Sequence, residues 1–239
     1  MIKSFRCSSG TIRFTTRGIK KSVDNVKTFY TEYNTLKRLR GIGGIINLLD
    51  ADTDKGELWL DYHKLDLHEY IINNNKTVGI TKDNSDYIEE SVNIFKKLLE
   101  PINECHKLDI LHGDLKPENI LLDEHRNPIL IDFGHSVNLH KIQVLGANVG
   151  TDGFRAPELD KNIIGYFTDV YSLGITFYTL MLGKKPLIRK NGELEIVITD
   201  HDSDISYKLI NLMCDMTDEC YENRPSIEYI IEEIKSDLI

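Results

Sequence analysis

The chain has 239 residues, a net charge of −9, and 41% hydrophobic against 28% charged residues. That length can bury a sizeable core, and the balance is that of a globular chain rather than a disordered or fibrous one. The acidic excess excludes a nucleic-acid-binding surface as the main business of the protein.

Residues 1–16 carry short β-like pieces, with Ile12 and Phe14 alternating against Thr11, Arg13 and Thr15. Over residues 23–40, Val26, Phe29, Tyr33, Leu36 and Leu39 recur at helical spacing, which predicts an amphipathic helix stopped by Gly41, Gly43 and Gly44. Strands are predicted at 45–49 and 57–62, joined by a turn-rich 50–56. After His63 the pattern turns helical, and Asp86 is the expected N-cap of a long helix to about Lys107, bent locally by Pro101. Two short apolar strands follow at 120–122 and 129–131, and then helices at 167–182, 206–216 and 226–239. A strand-rich first third and a helical remainder, joined at 61–64, predict an α+β fold in two lobes.

The longest apolar stretch, 171–182, is too short to cross a bilayer and is expected to be a buried helix. No signal peptide opens the chain, and Cys7, Cys105, Cys214 and Cys220 form no CxxC pair. Reduced thiols and a cytoplasmic location are expected, host cytoplasm if the Ile-, Asn- and Lys-rich composition reflects a virus.

The chemistry concentrates in His112-Gly113-Asp114-Leu115-Lys116-Pro117-Glu118-Asn119 and in Asp132-Phe133-Gly134, which begins thirteen residues after Asn119. Phosphoryl transfer needs a group to position the acceptor hydroxyl, ligands for magnesium and a cation for developing phosphate charge. Asp114 can accept the hydroxyl proton, Asn119 and Asp132 can hold metal, and Lys116 can sit on the transferred phosphate. A short hairpin between Asn119 and Asp132 would return both side chains to one ion.

This run closely resembles the catalytic loop of eukaryotic-type Ser/Thr protein kinases, with Gly113 where most of that family has arginine. Gly150-Thr151-Asp152-Gly153-Phe154-Arg155-Ala156-Pro157-Glu158 is similar to the GTxxYxAPE segment, and Asp169-Val170-Tyr171-Ser172-Leu173-Gly174 to DxWSxG. Arg224 matches the arginine that pairs with the APE glutamate, here Glu158. The resemblance spans about residues 20–225. It implies a two-lobed kinase-like fold over residues 1–239, with a reduced β-rich first lobe (1–62) carrying one helix and a larger helical second lobe (63–239).

Its implications for the site are specific. Asp169 would brace the catalytic loop, and Thr151 would bridge Asp114 and Lys116, favouring Ser/Thr acceptors. Arg17-Gly18-Ile19-Lys20 is similar to VAIK, which makes Lys20, held by Glu32, the candidate for the nucleotide phosphates. Lys21, one residue on, would point to the opposite strand face. Cys7-Ser8-Ser9-Gly10-Thr11-Ile12 keeps only Gly10 and the apolar Ile12 of a glycine-rich loop, although Ser8 and Ser9 could donate to phosphate. Leu60 stands at the gatekeeper place, backbone groups of Asp61 and His63 would meet adenine, and Ile12 and Leu121 would sandwich it. ATP and Mg²⁺ are thus the implied cosubstrate and cofactor. The implied partner is a protein with a Ser/Thr acceptor, with no nucleic acid and no membrane.

Two absences agree. In that family the arginine replaced by Gly113 neutralises an activation-loop phosphate, and residues 135–150 offer only Ser136 as a hydroxyl. Activity without activation-loop phosphorylation is expected. Glu118 leans towards basic substrates, with Thr179 where a second acid often stands, and the polar 187–206 is short for a substrate-docking helix. A small-molecule phosphotransferase, which shares Asp114, Asn119 and Asp132, and a non-catalytic kinase mimic are the competing readings.

Overall fold

The computed structural model describes residues 4–7, 10–15, 18–23, 25–77, 85–141, 149–188, 194–195 and 207–237. Three strands open the chain: β1 (Ser4–Cys7), β2 (Gly10–Thr15) and β3 (Gly18–Val23). With β4 (Leu48–Asp52) and β5 (Glu57–Leu60) they form a five-stranded antiparallel sheet in the order β1-β2-β3-β5-β4. The mixed α+β architecture is as expected, with helices dominating after the sheet.

Helix α1 (Val26–Arg38) starts three residues later than its apolar periodicity suggests. Asn25 caps it, its side chain accepting from the Lys27 and Thr28 N–H groups at 2.8 and 3.2 Å. Val23 is instead held in β3, where its N–H donates to the Gly56 carbonyl at 3.0 Å. Phe29, Glu32 and Leu36 form the buried stripe of α1 at three- and four-residue steps.

The strand expected at 45–49 is displaced to β4. Ile45 and Ile46 are buried, but they leave the sheet. Ile46 N–H donates to the Leu130 carbonyl at 3.0 Å and Leu130 N–H to the Gly44 carbonyl at 2.8 Å, so the pair fastens the α1–β4 connection to a later strand. Gly44 permits this: its φ is +75°, and a Cβ there would stand 2.8 Å from the Pro101 ring.

Past the sheet come β6 (Leu65–Asp66), α2 (Leu67–Thr77) and α3 (Ser85–Lys107). Asp86 is a first-turn residue of α3 and not its cap, because the helix already begins at Ser85. Next are β7 (Ile110–Leu111), β8 (Ile120–Leu122), β9 (Pro128–Leu130) and β10 (Val137–Asn138). β8 pairs with β6 and β9, and β10 pairs with β7. Helix α4 (Tyr166–Leu182) is buried from Thr168 to Met181, which explains its largely apolar sequence, and Phe95 of α3 stacks on Phe177 at 3.8 Å between ring centroids. The short pair β11 (Leu187–Ile188) and β12 (Leu194–Glu195) precedes α5 (Tyr207–Met216) and α6 (Ile227–Asp237). Among the described residues no helix is long and apolar enough to cross a membrane.

Candidate active site

The loop after β7 is held from beneath. Asp169, in the first turn of α4, accepts the His112 and Gly113 N–H groups at 2.8 and 2.9 Å and bonds His106 Nε2 at 3.0 Å. Burial alone would raise its pKa, but the His106 hydrogen bond and the Gly113 N–H hold it below the usual value. The His112 ring spans the loop. Asp114 N–H donates to Nδ1 at 3.3 Å and Nε2 lies 3.0 Å from the Ile131 carbonyl, so the proton sits on Nε2. Its face lies against Phe133 at 4.7 Å.

On this platform Asp114, Lys116, Asn119 and Thr151 meet in one network. Thr151 Oγ1 donates to Asp114 Oδ1 at 2.6 Å and accepts from Lys116 Nζ at 2.6 Å. Lys116 Nζ lies 2.9 Å from Asp114 Oδ2. Asn119 Nδ2 donates to the same Oδ2 at 2.9 Å and to the Asp114 carbonyl at 2.8 Å. That orientation turns the Asn119 amide oxygen away from Asp114. All four of these sequence-picked residues are thus brought together, and Asp114, Lys116 and Asn119 are buried.

The β8–β9 hairpin returns the chain to Asn119, whose carbonyl accepts from Ile131 N–H at 3.0 Å. Asp132 follows, with φ +62° and ψ +65°, a left-handed conformation that costs on the order of 1 kcal/mol for a residue with a Cβ. Its Oδ1 accepts from Lys21 Nζ at 2.9 Å.

The pairing of Lys20 with Glu32 is corrected here. Lys21 Nζ meets both Glu32 oxygens at 2.7 Å, whereas Lys20 Nζ sits 2.7 Å from Glu57 and 5.3 Å over the Trp59 ring. The register explains it: Lys21 pairs with Ile12 and Leu58, Lys20 with Arg13 and Trp59. Side chains alternate along a strand, so burying Ile19 puts Lys21 on the inner face and Lys20 on the outer one.

Two carboxylates therefore share the Lys21 ammonium in a water-poor place. Burial pushes the Glu32 carboxyl up to about 7; Lys21 opposes the rise and Asp132 adds to it. A raised carboxyl pKa favours the protonated form in the fold, so this stabilisation is complete below pH 4.5 and is lost as pH climbs through about 7. Glu32→Gln should flatten that part of the stability profile, removing a slope of at most about 1.4 kcal/mol per pH unit. Urea denaturation of both proteins between pH 4.5 and 7.5 checks it; parallel profiles would contradict the assignment.

Asn119 and Asp132 offer one amide and one carboxylate oxygen. That hard-oxygen pair suits Mg²⁺, which takes few protein ligands and fills its octahedron with water and phosphate. Among the described residues no group of three or more His, Cys, Asp or Glu could hold a metal. Of the apolar candidates, Leu60 is buried at the end of β5 and Leu121 in the middle of β8. Asp61 N–H donates to the Asn47 carbonyl at 3.2 Å. Gly10 opens β2, and Ile12 lies opposite Lys21; Ser8 and Ser9 fall outside the described residues, as does most of 187–206.

Further out, Arg224 holds Glu158 through two bonds of 2.8 and 2.9 Å, both side chains buried. Ser136 Oγ lies 2.8 Å from Thr35 Oγ1 of α1, and Arg38 of α1 donates to the Leu108 carbonyl at 2.7 Å. Gly113 has φ +79°, and a Cβ there would stand 2.6 Å from the His135 carbonyl oxygen. In this backbone an arginine does not fit without moving the 133–135 turn.

Comparison with known proteins agrees with this geometry. Residues 12–234 match the family model of the protein kinase domain. The putative sperm motility kinase W of Mus musculus is 31% identical over 219 residues, 89% of this chain and 42% of that protein. A putative serine/threonine-protein kinase of Acanthamoeba polyphaga mimivirus is 35% identical over 153 residues, 60% of this chain and 55% of that protein. The phosphorylase b kinase gamma catalytic chain (liver/testis isoform) of Rattus norvegicus is 32% identical over 165 residues, 65% of this chain and 38% of that protein. The chain spans about half or less of the length of these relatives.

Proposed function

The chain belongs to the protein kinase family, and from that premise we propose that it transfers the γ-phosphoryl group of ATP to Ser or Thr hydroxyls of a protein. The observation that carries the reading is the network of Asp114, Lys116, Asn119 and Thr151, because it joins an acceptor-orienting carboxylate to a phosphate-facing ammonium.

Residues 1–239 act as one catalytic unit, with the smaller lobe at 1–62. Lys21, fixed by Glu32, meets the nucleotide phosphates. Leu60, Leu121 and Ile12 enclose the adenine, whose amino group meets the Asp61 carbonyl while His63 offers its backbone. Asp114 takes the acceptor's hydroxyl proton on Oδ1 or Oδ2 as the new O–P bond forms, and the β-phosphate oxygen leaves with the electrons of the broken bond. Lys116 offsets charge on the transferred group, and Thr151 keeps Asp114 and Lys116 at their spacing. Mg²⁺, held by Asn119 and Asp132, would supply charge neutralisation on the phosphates.

The test is a transfer assay with Mg-ATP that offers protein Ser/Thr, protein Tyr, aminoglycoside and choline acceptors side by side. Labelling of Ser/Thr is expected. Labelling of the small molecules alone would favour a small-molecule phosphotransferase, and no labelling with no ATP-induced stabilisation would favour a kinase mimic.

The reading includes independence from a phosphate after Gly134. The Ser136 hydroxyl is engaged with Thr35, and Gly113 brings no cation to that segment. Phosphatase treatment should leave the rate within about twofold, since no charge-assisted contact is removed. A stoichiometric phosphate at Ser136 that raises activity would reject it.

A further inference from the structure

Asp109 belongs to none of the motifs above, yet three elements converge on it. It closes the turn after α3, its N–H donating to the His106 carbonyl at 2.9 Å, with φ at +56°. That left-handed conformation is uncommon for a residue with a Cβ, and aspartate and asparagine tolerate it best. Its carbonyl accepts from Leu139 N–H at 2.9 Å, which prolongs the β7–β10 pairing beyond Ile110 and Asn138. Its carboxylate accepts from the Tyr166 hydroxyl at 2.6 Å through Oδ1 and pairs with His140 through Oδ2. The Tyr166 bond is the foremost cause keeping the Asp109 pKa below the usual carboxylate value.

The contacts run on into the catalytic loop. Tyr166 lies against the His106 ring at 4.8 Å, and His106 bonds Asp169, which in turn holds His112 and Gly113. One carboxylate thus ties residues 137–141 both to the strand that leads into Asp114 and to the helix that supports it.

We propose that Asp109 is a positioning residue that pins residues 137–141 in the working arrangement, doing from within the chain what a bound phosphate does where an arginine follows the catalytic histidine. The proposal rests on the kinase reading, and it accounts for two facts together. Gly113 leaves no cation to grip a phosphate, and the segment still runs in register with β7. Asp109 supplies two side-chain bonds and one backbone bond at that point, with Tyr166 and His140 arriving from positions far apart in sequence.

The experiment compares Asp109→Ala, Asp109→Asn and Tyr166→Phe with the parent in peptide phosphorylation and in amide hydrogen exchange. For Asp109→Ala, kcat should fall about tenfold or more with KM for ATP within about twofold, as expected when reacting groups are misplaced but nucleotide binding is spared. Asp109→Asn keeps an acceptor for Tyr166 and should fall between that variant and the parent; Tyr166→Phe should lose about threefold. Exchange over residues 137–141 should speed up about tenfold in Asp109→Ala, with α3 and α4 unchanged. A kcat within twofold of the parent together with unaltered exchange would overturn the proposal. So would exchange accelerated uniformly through α3 and α4, which marks a merely structural role. If the parent transfers no phosphate, the kinase reading falls, and local exchange alone decides whether Asp109 pins the segment.

Discussion

Lys21→Met should lower kcat/KM for phosphoryl transfer by about 10³-fold, whereas Lys20→Met, one residue away, should stay within about threefold of the parent. The contrast follows from strand parity. Lys21 is 2% exposed and donates to Glu32 and Asp132, so its loss removes a preorganised cation from a site of low dielectric. Lys20 makes a partly exposed pair with Glu57, worth about 1 kcal/mol or less. Removing the Lys21 ammonium also strands two buried carboxylates, which can cost about 3–5 kcal/mol of stability. Lys21→Arg, which keeps the charge but not the geometry, therefore belongs in the series, with each variant's folding measured beside its kinetics. Equal losses in the Lys20 and Lys21 variants would return the nucleotide lysine to an open question of register.

Asp114→Asn should lower kcat by about 10²–10⁴-fold while ATP binding stays within about threefold. The amide keeps the size of the carboxylate and can still accept from Thr151. It cannot take a proton, and its NH₂ would face Lys116 Nζ or Asn119 Nδ2, donors that now point at Oδ2. Single-turnover kinetics with nucleotide binding measured separately would check the split. A variant within tenfold of the parent would mean that Asp114 only orients the acceptor, or that transfer takes another route.

Much of the second half of the site was legible because its chemistry is local in sequence. Asp114, Lys116 and Asn119 fall within eight residues of His112, and a short hairpin brings Asp132 back to them. The first half depends on register. Lys20 and Lys21 are indistinguishable by composition, and only the burial of Ile19 decides which one faces inward. That signal lay in the sequence, since Ile19 and Lys21 share parity with Leu58 and Leu60 on the facing strand. The apolar pair Ile45-Ile46 misled for a related reason: its burial is against Leu130, a long-range contact that periodicity cannot distinguish from strand pairing. Asp109 carried no signal at all. Its partners stand at positions 139, 140 and 166, and a turn aspartate before a strand is ordinary in a sequence read alone.

Helix α1 carries three side-chain ties to the elements around it. Glu32 is on Lys21, Thr35 is on Ser136, and Arg38 is on the Leu108 carbonyl. In population terms, a partner shifts an equilibrium only as far as its affinities for the two states differ. A partner that draws α1 away must therefore offset the loss of all three ties, whereas one that seats against the helix as it stands breaks none. Displacing α1 would part Glu32 from Lys21, and on the kinase reading that would lower transfer.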